Sequence, residues 1–146
     1  MKKTKRKPKS NLKKLQEAAE QAWKDLAYKR DGKRCMVKLH DPSLDIPHTN
    51  VFQVDHCFER GDKNLFLEPS NATVVCSTCN MLKGFNQRSL HRIIDDIVRE
   101  REGDAKFDAM RVINESKSPN PGWKMIPWLE EQIKMLKEKA DGLMTI

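Results

Sequence analysis

Val51-Phe52-Gln53-Val54-Asp55-His56-Cys57-Phe58 has the β-branched and aromatic content of a strand, interrupted near its end by polar or reactive residues. Ala72-Thr73-Val74-Val75 is a second short apolar run, and pairing it back on the first gives a hairpin. Between them Glu59 to Asn71, with Gly61, Asp62, Asn64 and Pro69, is a long loop. Cys76-Ser77-Thr78-Cys79 follows, a Cys-x2-Cys knuckle whose tight turn lets two thiolates bind one tetrahedral zinc at about 2.3 Å. Residues 80 to 87 then start a short helix checked by Gly84, and the hairpin is expected to bring Cys76 and Cys79 close to Asp55.

A zinc ion needs two more ligands. Cys35 lies about forty residues upstream, where a second pair normally sits, but its partner at the usual spacing is Lys38. His40 is the preferred replacement because imidazole suits zinc, and Cys57 is the alternative. Cys57 also fits as a small buried apolar side chain.

Outward from this centre, Leu12, Leu15, Ala19, Ala22, Trp23 and Leu26 recur at steps of three and four, predicting a helix near residues 11 to 30 ended by Asp31 and Gly32. Residues 41 to 50 read as a loop. Ser89 is the expected N-cap of a helix carrying Leu90, Ile93, Ile94, Ile97 and Val98 and stopped by Gly103. A weaker helix spans 104 to 114, and residues 118 to 122 form a turn. Pro127 fits the first turn of a last helix with Leu129, Ile133, Leu136 and Ala140 on one face. The expected class is α+β, divided into a basic disordered arm (1–10), a helix plus hairpin core (11–87) and a helical C-terminal extension (88–146).

The chain of 146 residues carries a net charge of +7, unevenly distributed. Eight of its cations, Lys5, Arg6 and Lys7 among them, lie in residues 1 to 14 with no acid, leaving 20 basic and 21 acidic residues beyond. Such an arm adds sequence-independent, salt-sensitive attraction to phosphates, or serves solubility or targeting. No signal peptide and no bilayer-spanning apolar run are visible, so the expectation is a cytoplasmic protein with reduced thiols and no membrane partner.

Asp55-His56, Asn71 and Asn80 sit inside the cysteine frame. Cleaving a phosphodiester requires a base near its working pH, and histidine has the closest unperturbed pKa, which nominates His56. Val54-Asp55-His56, Pro69-Ser70-Asn71-Ala72-Thr73-Val74-Val75-Cys76 and Cys79-Asn80-Met81-Leu82-Lys83-Gly84 together resemble the HNH endonuclease superfamily, over residues 30 to 86. The overall layout looks most like the phage NinG/Rap recombination nucleases that act on branched DNA.

The resemblance implies a ββα-metal core with structural zinc and a catalytic Mg2+ or Mn2+ held by Asp55 and Asn80. It also implies His56 as base, Asn71 bracing the hairpin and orienting His56, and DNA products with 5′-phosphate and 3′-hydroxyl ends. Asn80 stands where another form of the motif has histidine. Arg60 and Lys83 are candidates for gripping flanking phosphates. His48 and His91 are expected at the surface, and Trp123 and Trp128 in the core more than stacked on bases. A bacterial host cell, phage-encoded origin, no small-molecule cofactor, and a homodimer or a recombination protein as further partner complete the expectation. The competing classes are a zinc-stabilised nucleic-acid-binding module without catalysis and an adaptor using its C-terminal helices.

Overall fold

The computed structural model describes residues 8–58, 63–85, 87–116 and 118–143. Residues 1–7 of the basic arm, with Lys5, Arg6 and Lys7, and the phosphate candidate Arg60 lie outside the described residues. The architecture is α+β and mostly helical, with one two-stranded antiparallel sheet.

Helix α1 (Asn11–Asp31) begins where Ser10 accepts a hydrogen bond from the Lys13 amide. It ends at Gly32, whose φ of +77° is open to glycine and whose N–H bonds the Tyr28 carbonyl. Its buried stripe of Ala19, Ala22, Trp23, Leu26 and Ala27 is the one the apolar period marked. A five-residue helix, α2 (Met36–His40), follows.

Strand β1 (Phe52–His56) pairs with β2 (Ala72–Cys76), Phe52 opposite Cys76 and His56 opposite Ala72. This register puts the cysteine knuckle at the far end of β1 from Asp55 and His56, so the expected closeness of Cys76 to Asp55 is not found. Every residue of β2 is buried, because helices cover both faces of the ribbon. On one face Ala72 and Val74 share a core with α1 and with Leu129 and Leu136 of α6 (Ile126–Asp141). On the other, Val75, Cys76 and Cys79 share a core with Leu90, Ile94, Ile97 and Val98 of α4 (Arg88–Glu102) and with Phe107 and Met110 of α5 (Asp104–Ser116).

The hairpin runs straight into α3 (Ser77–Gly84). Cys76 is its N-cap, the Sγ accepting from the Cys79 amide at 3.5 Å, so the knuckle and the helix start are one structure. The start of α4 differs from the sequence expectation: Gln87 holds the N-cap position and Ser89 lies inside the helix. Trp123 and Trp128 pack against the α1/α6 core, with Trp123 edge-on to Phe66 at 4.9 Å, which agrees with a core role.

Candidate functional site

Cys35, His48, Cys76 and Cys79 bring one ligand atom each to within 4.8 Å of one another. Tetrahedral zinc places sulfurs roughly 3.8 Å apart and sulfur and nitrogen roughly 3.5 Å apart. Here the Cys35 and Cys79 sulfurs are 3.7 Å apart, and His48 Nδ1 is 3.3 Å from Cys76 Sγ and 3.5 Å from Cys79 Sγ. A disulfide needs about 2.05 Å, and all four cysteines are free. The hydrogen bond with Cys79 draws the Cys35 thiol down to about 4 against its burial. That contact, with burial and Cys76 added, pushes Cys79 up. Thiols crowded this way cannot all ionise without a cation among them, so the donor set fits zinc.

The residue that joins the three cysteines in this cluster is His48, neither of the two that the sequence suggested. His40 ends α2 while Cys35 caps its start, about 7.5 Å of helix apart, and its Nδ1 turns to Glu100 Oε2 at 3.6 Å. Cys57 lies beyond the opposite end of β1 and donates its S–H to Asp95 Oδ1 at 3.3 Å. Burial first, then the Asp95 carboxylate, pushes that thiol up and keeps it neutral. His48, expected at the surface, is half-buried in the cluster because the loop before β1 runs beside the knuckle. The Ser77 amide donates to the Val51 carbonyl at 2.8 Å, and the Thr49 and Ser77 hydroxyls meet at 2.6 Å. A histidine just ahead of a strand paired with the knuckle was the available signal.

At the other end of the hairpin stands His56. Its Nε2 is 2.9 Å from the Phe66 carbonyl, a contact in which only a protonated Nε2 can donate, so the neutral ring carries its acceptor on Nδ1. The imidazole stacks on Trp23 at 4.0 Å and lies against Phe66 at 4.4 Å. His56, Asn80 and Gln53 line one cleft of about 500 Å³ with Glu20, Lys24 and Tyr28 of α1.

Asn71 is wholly buried and braces this end as expected. Its Oδ1 accepts from the Phe58 amide at 2.7 Å, and its Nδ2 donates to the Phe58 and Leu65 carbonyls, each at 3.0 Å. Leu65 precedes Phe66, whose carbonyl holds His56, so Asn71 braces the loop that fixes the imidazole.

Asp55 and Asn80 each engage a neighbouring side chain. Lys83 Nζ donates to Asp55 Oδ2 at 2.7 Å and to the His56 carbonyl at 2.6 Å, with lysine and aspartate only 3% and 6% exposed. The Asn80 amide donates to the Gln53 side chain. As held here the pair does not fit a divalent cation, which would have to displace the ammonium from the carboxylate. Lys83 is thereby corrected from a phosphate grip to a buried counter-ion. Among the described residues, no helix is long and apolar enough to cross a membrane. No family model, no curated protein and no solved structure matches the chain.

Proposed function

We propose that this chain is a nuclease of the HNH kind that hydrolyses DNA phosphodiester bonds with His56 as general base. One observation carries the proposal: His56 lines a polar cleft with Asn80 and Lys24, and the Phe66 carbonyl at its Nε2 leaves Nδ1 as the acceptor of the neutral ring. Water in that cleft gives its proton to Nδ1 as its oxygen bonds to phosphorus. The P–O3′ bond breaks, and the leaving oxygen takes a proton from solvent. Lys24, which lines the cleft and pairs with Glu20 at 3.5 Å, is the cation at hand for the charge that builds on the phosphoryl oxygens. The expected products carry 5′-phosphate and 3′-hydroxyl ends, and branched recombination DNA of a phage or its host is the expected substrate.

The Cys35, His48, Cys76 and Cys79 cluster holds the strand end and the start of α3, and structural zinc bound there supplies folding free energy. The Asp55–Lys83 pair favours a second class, a zinc-stabilised nucleic-acid-binding module without catalysis, since it closes the carboxylate that a divalent cation would use.

Labelled duplex, single-stranded and branched DNA, each incubated with Mg2+, Mn2+ or chelator, separates the two. Cutting that His56→Ala abolishes without loss of DNA affinity supports the nuclease, and the Mg2+, Mn2+ and chelator arms read whether a divalent cation takes part. Near-normal cutting by His56→Ala refutes His56 as base. DNA binding by the wild type with no cutting under any condition leaves the binding module.

A further inference from the structure

We propose that Trp23 of α1 is the positioning residue for His56, its indole fixing the plane in which the imidazole presents Nδ1. The catalytic half of this inference rests on the nuclease function proposed above; the positioning half rests on geometry alone. The indole is completely buried, and its Nε1–H donates to the Glu68 carbonyl at 2.8 Å, so it cannot turn. Its face meets the imidazole at 4.0 Å and 11°.

Phe66 lies against the imidazole at 4.4 Å and 25°. Phe66 is itself held edge-on by Trp123, with the Lys63 ammonium 3.9 Å from its ring centre. Among the described residues the imidazole is held by the β1 backbone, by the Phe66 carbonyl at Nε2, and between two aromatic faces, the Phe66 ring and the indole. The hydrogen bond holds the ring at one edge, and the indole, nearer and more nearly parallel than the Phe66 ring, opposes rotation about the Cβ–Cγ bond across its face. A stacked ring of fixed orientation opposes that rotation over the whole plane, which an aliphatic side chain of similar volume does not. The other buried apolar positions of α1, Ala19, Ala22, Leu26 and Ala27, are aliphatic, and the flat ring occurs where the stripe meets His56.

The test uses the full chain and two substitutions, Trp23→Phe and Trp23→Leu, read by kinetics and by the His56 ring resonances. In Trp23→Leu the ring protons of His56 should lose the indole's share of their upfield ring-current shift, keeping that of Phe66, and its two nitrogens should move toward an averaged tautomer. Its kcat should fall about tenfold to a hundredfold, with KM held within about twofold. Trp23→Phe, which keeps an aromatic face, should retain both the ring-current shift and most of kcat. Unchanged resonances and kcat in a folded Trp23→Leu protein overturn the proposal, as does a Trp23→Phe protein that loses kcat as far as Trp23→Leu. If Trp23→Leu does not fold, the wild-type nuclear Overhauser contact between the indole and the His56 ring decides with Trp23→Phe, and its absence overturns the proposal. A wild type that cuts no DNA refutes the nuclease but not the positioning role, because the resonances still report whether Trp23 holds the ring.

Discussion

His48 joins the cysteine cluster through strand register, thirteen residues beyond Cys35 in sequence, and the consequence is measurable one side chain at a time. His48→Ala should strip bound metal and lower Tm, while His40→Ala and Cys57→Ser should keep full metal content, because the first of these contacts Glu100 and the second Asp95. Metal analysis after gel filtration reads the difference; metal retained by His48→Ala and lost by His40→Ala would restore the sequence expectation. Lys83 makes a second residue-level case. Removing one member of a buried pair leaves the other charge uncompensated, so Lys83→Met should destabilise the chain by about 3–5 kcal/mol. Adding Asp55→Asn to Lys83→Met should recover much of that loss, since no buried charge then remains. Urea unfolding checks both, and DNA affinity measured beside it tests the phosphate-grip alternative. A lysine that gripped phosphate would lower affinity and leave stability nearly unchanged.

At the scale of elements, the approach to β2 is fastened carbonyl by carbonyl. Trp23 donates to Glu68 O, Arg30 to Pro69 O and Ala72 O, and Arg101 to Ser70 O, while the Cys57 amide takes Asn71 O. Donors from α1 and α4 thus meet on a loop that would otherwise bury bare backbone acceptors. Composition alone could not place these contacts, because an arginine at a helix end looks like any solvated charge. What periodicity could mark, it marked: the α1 stripe, the two strand runs and the start of α6 at Pro127 all lie in the chemistry of neighbouring residues. The short α2 had no such signal, since five residues make less than two turns. Of the candidate site, Cys35, Cys76, Cys79 and the bracing Asn71 were legible from spacing and motif. His48, the Lys83–Asp55 pair and the Trp23 stack were not, because each joins residues brought together only by packing. The turn into α6 supplies the prediction at this scale. A Cβ on Gly122 would stand 2.5 Å from the Trp128 ring, so Gly122→Ala must displace a large side chain lying against the α1/α6 core. The expected cost is about 1–3 kcal/mol, seen as a lower urea midpoint with an unchanged slope. An unaltered midpoint would mean that the turn repacks freely.

For the whole molecule, the hairpin is the layer shared by two cores, and the cysteine cluster and His56 lie at its opposite ends. Metal bound by the cluster would secure, from one end, the strand that carries His56 at the other. Charge is arranged on the same large scale. With eight cations in the first 14 residues and 20 basic against 21 acidic residues in the remainder, the body offers a DNA polyanion little net attraction. Deleting residues 1 to 9, which removes six of those cations, should weaken DNA binding at low salt and flatten the dependence of log affinity on log salt. Each lost phosphate contact should reduce that slope by about 0.9 on duplex DNA, so the change in slope counts the arm's contacts. Single-turnover cleavage at saturating DNA should stay near the full-length rate, because His56 and its partners all lie beyond the deletion. An unchanged slope assigns the arm to solubility or targeting, whereas a collapsed rate at saturation places it against the bound substrate.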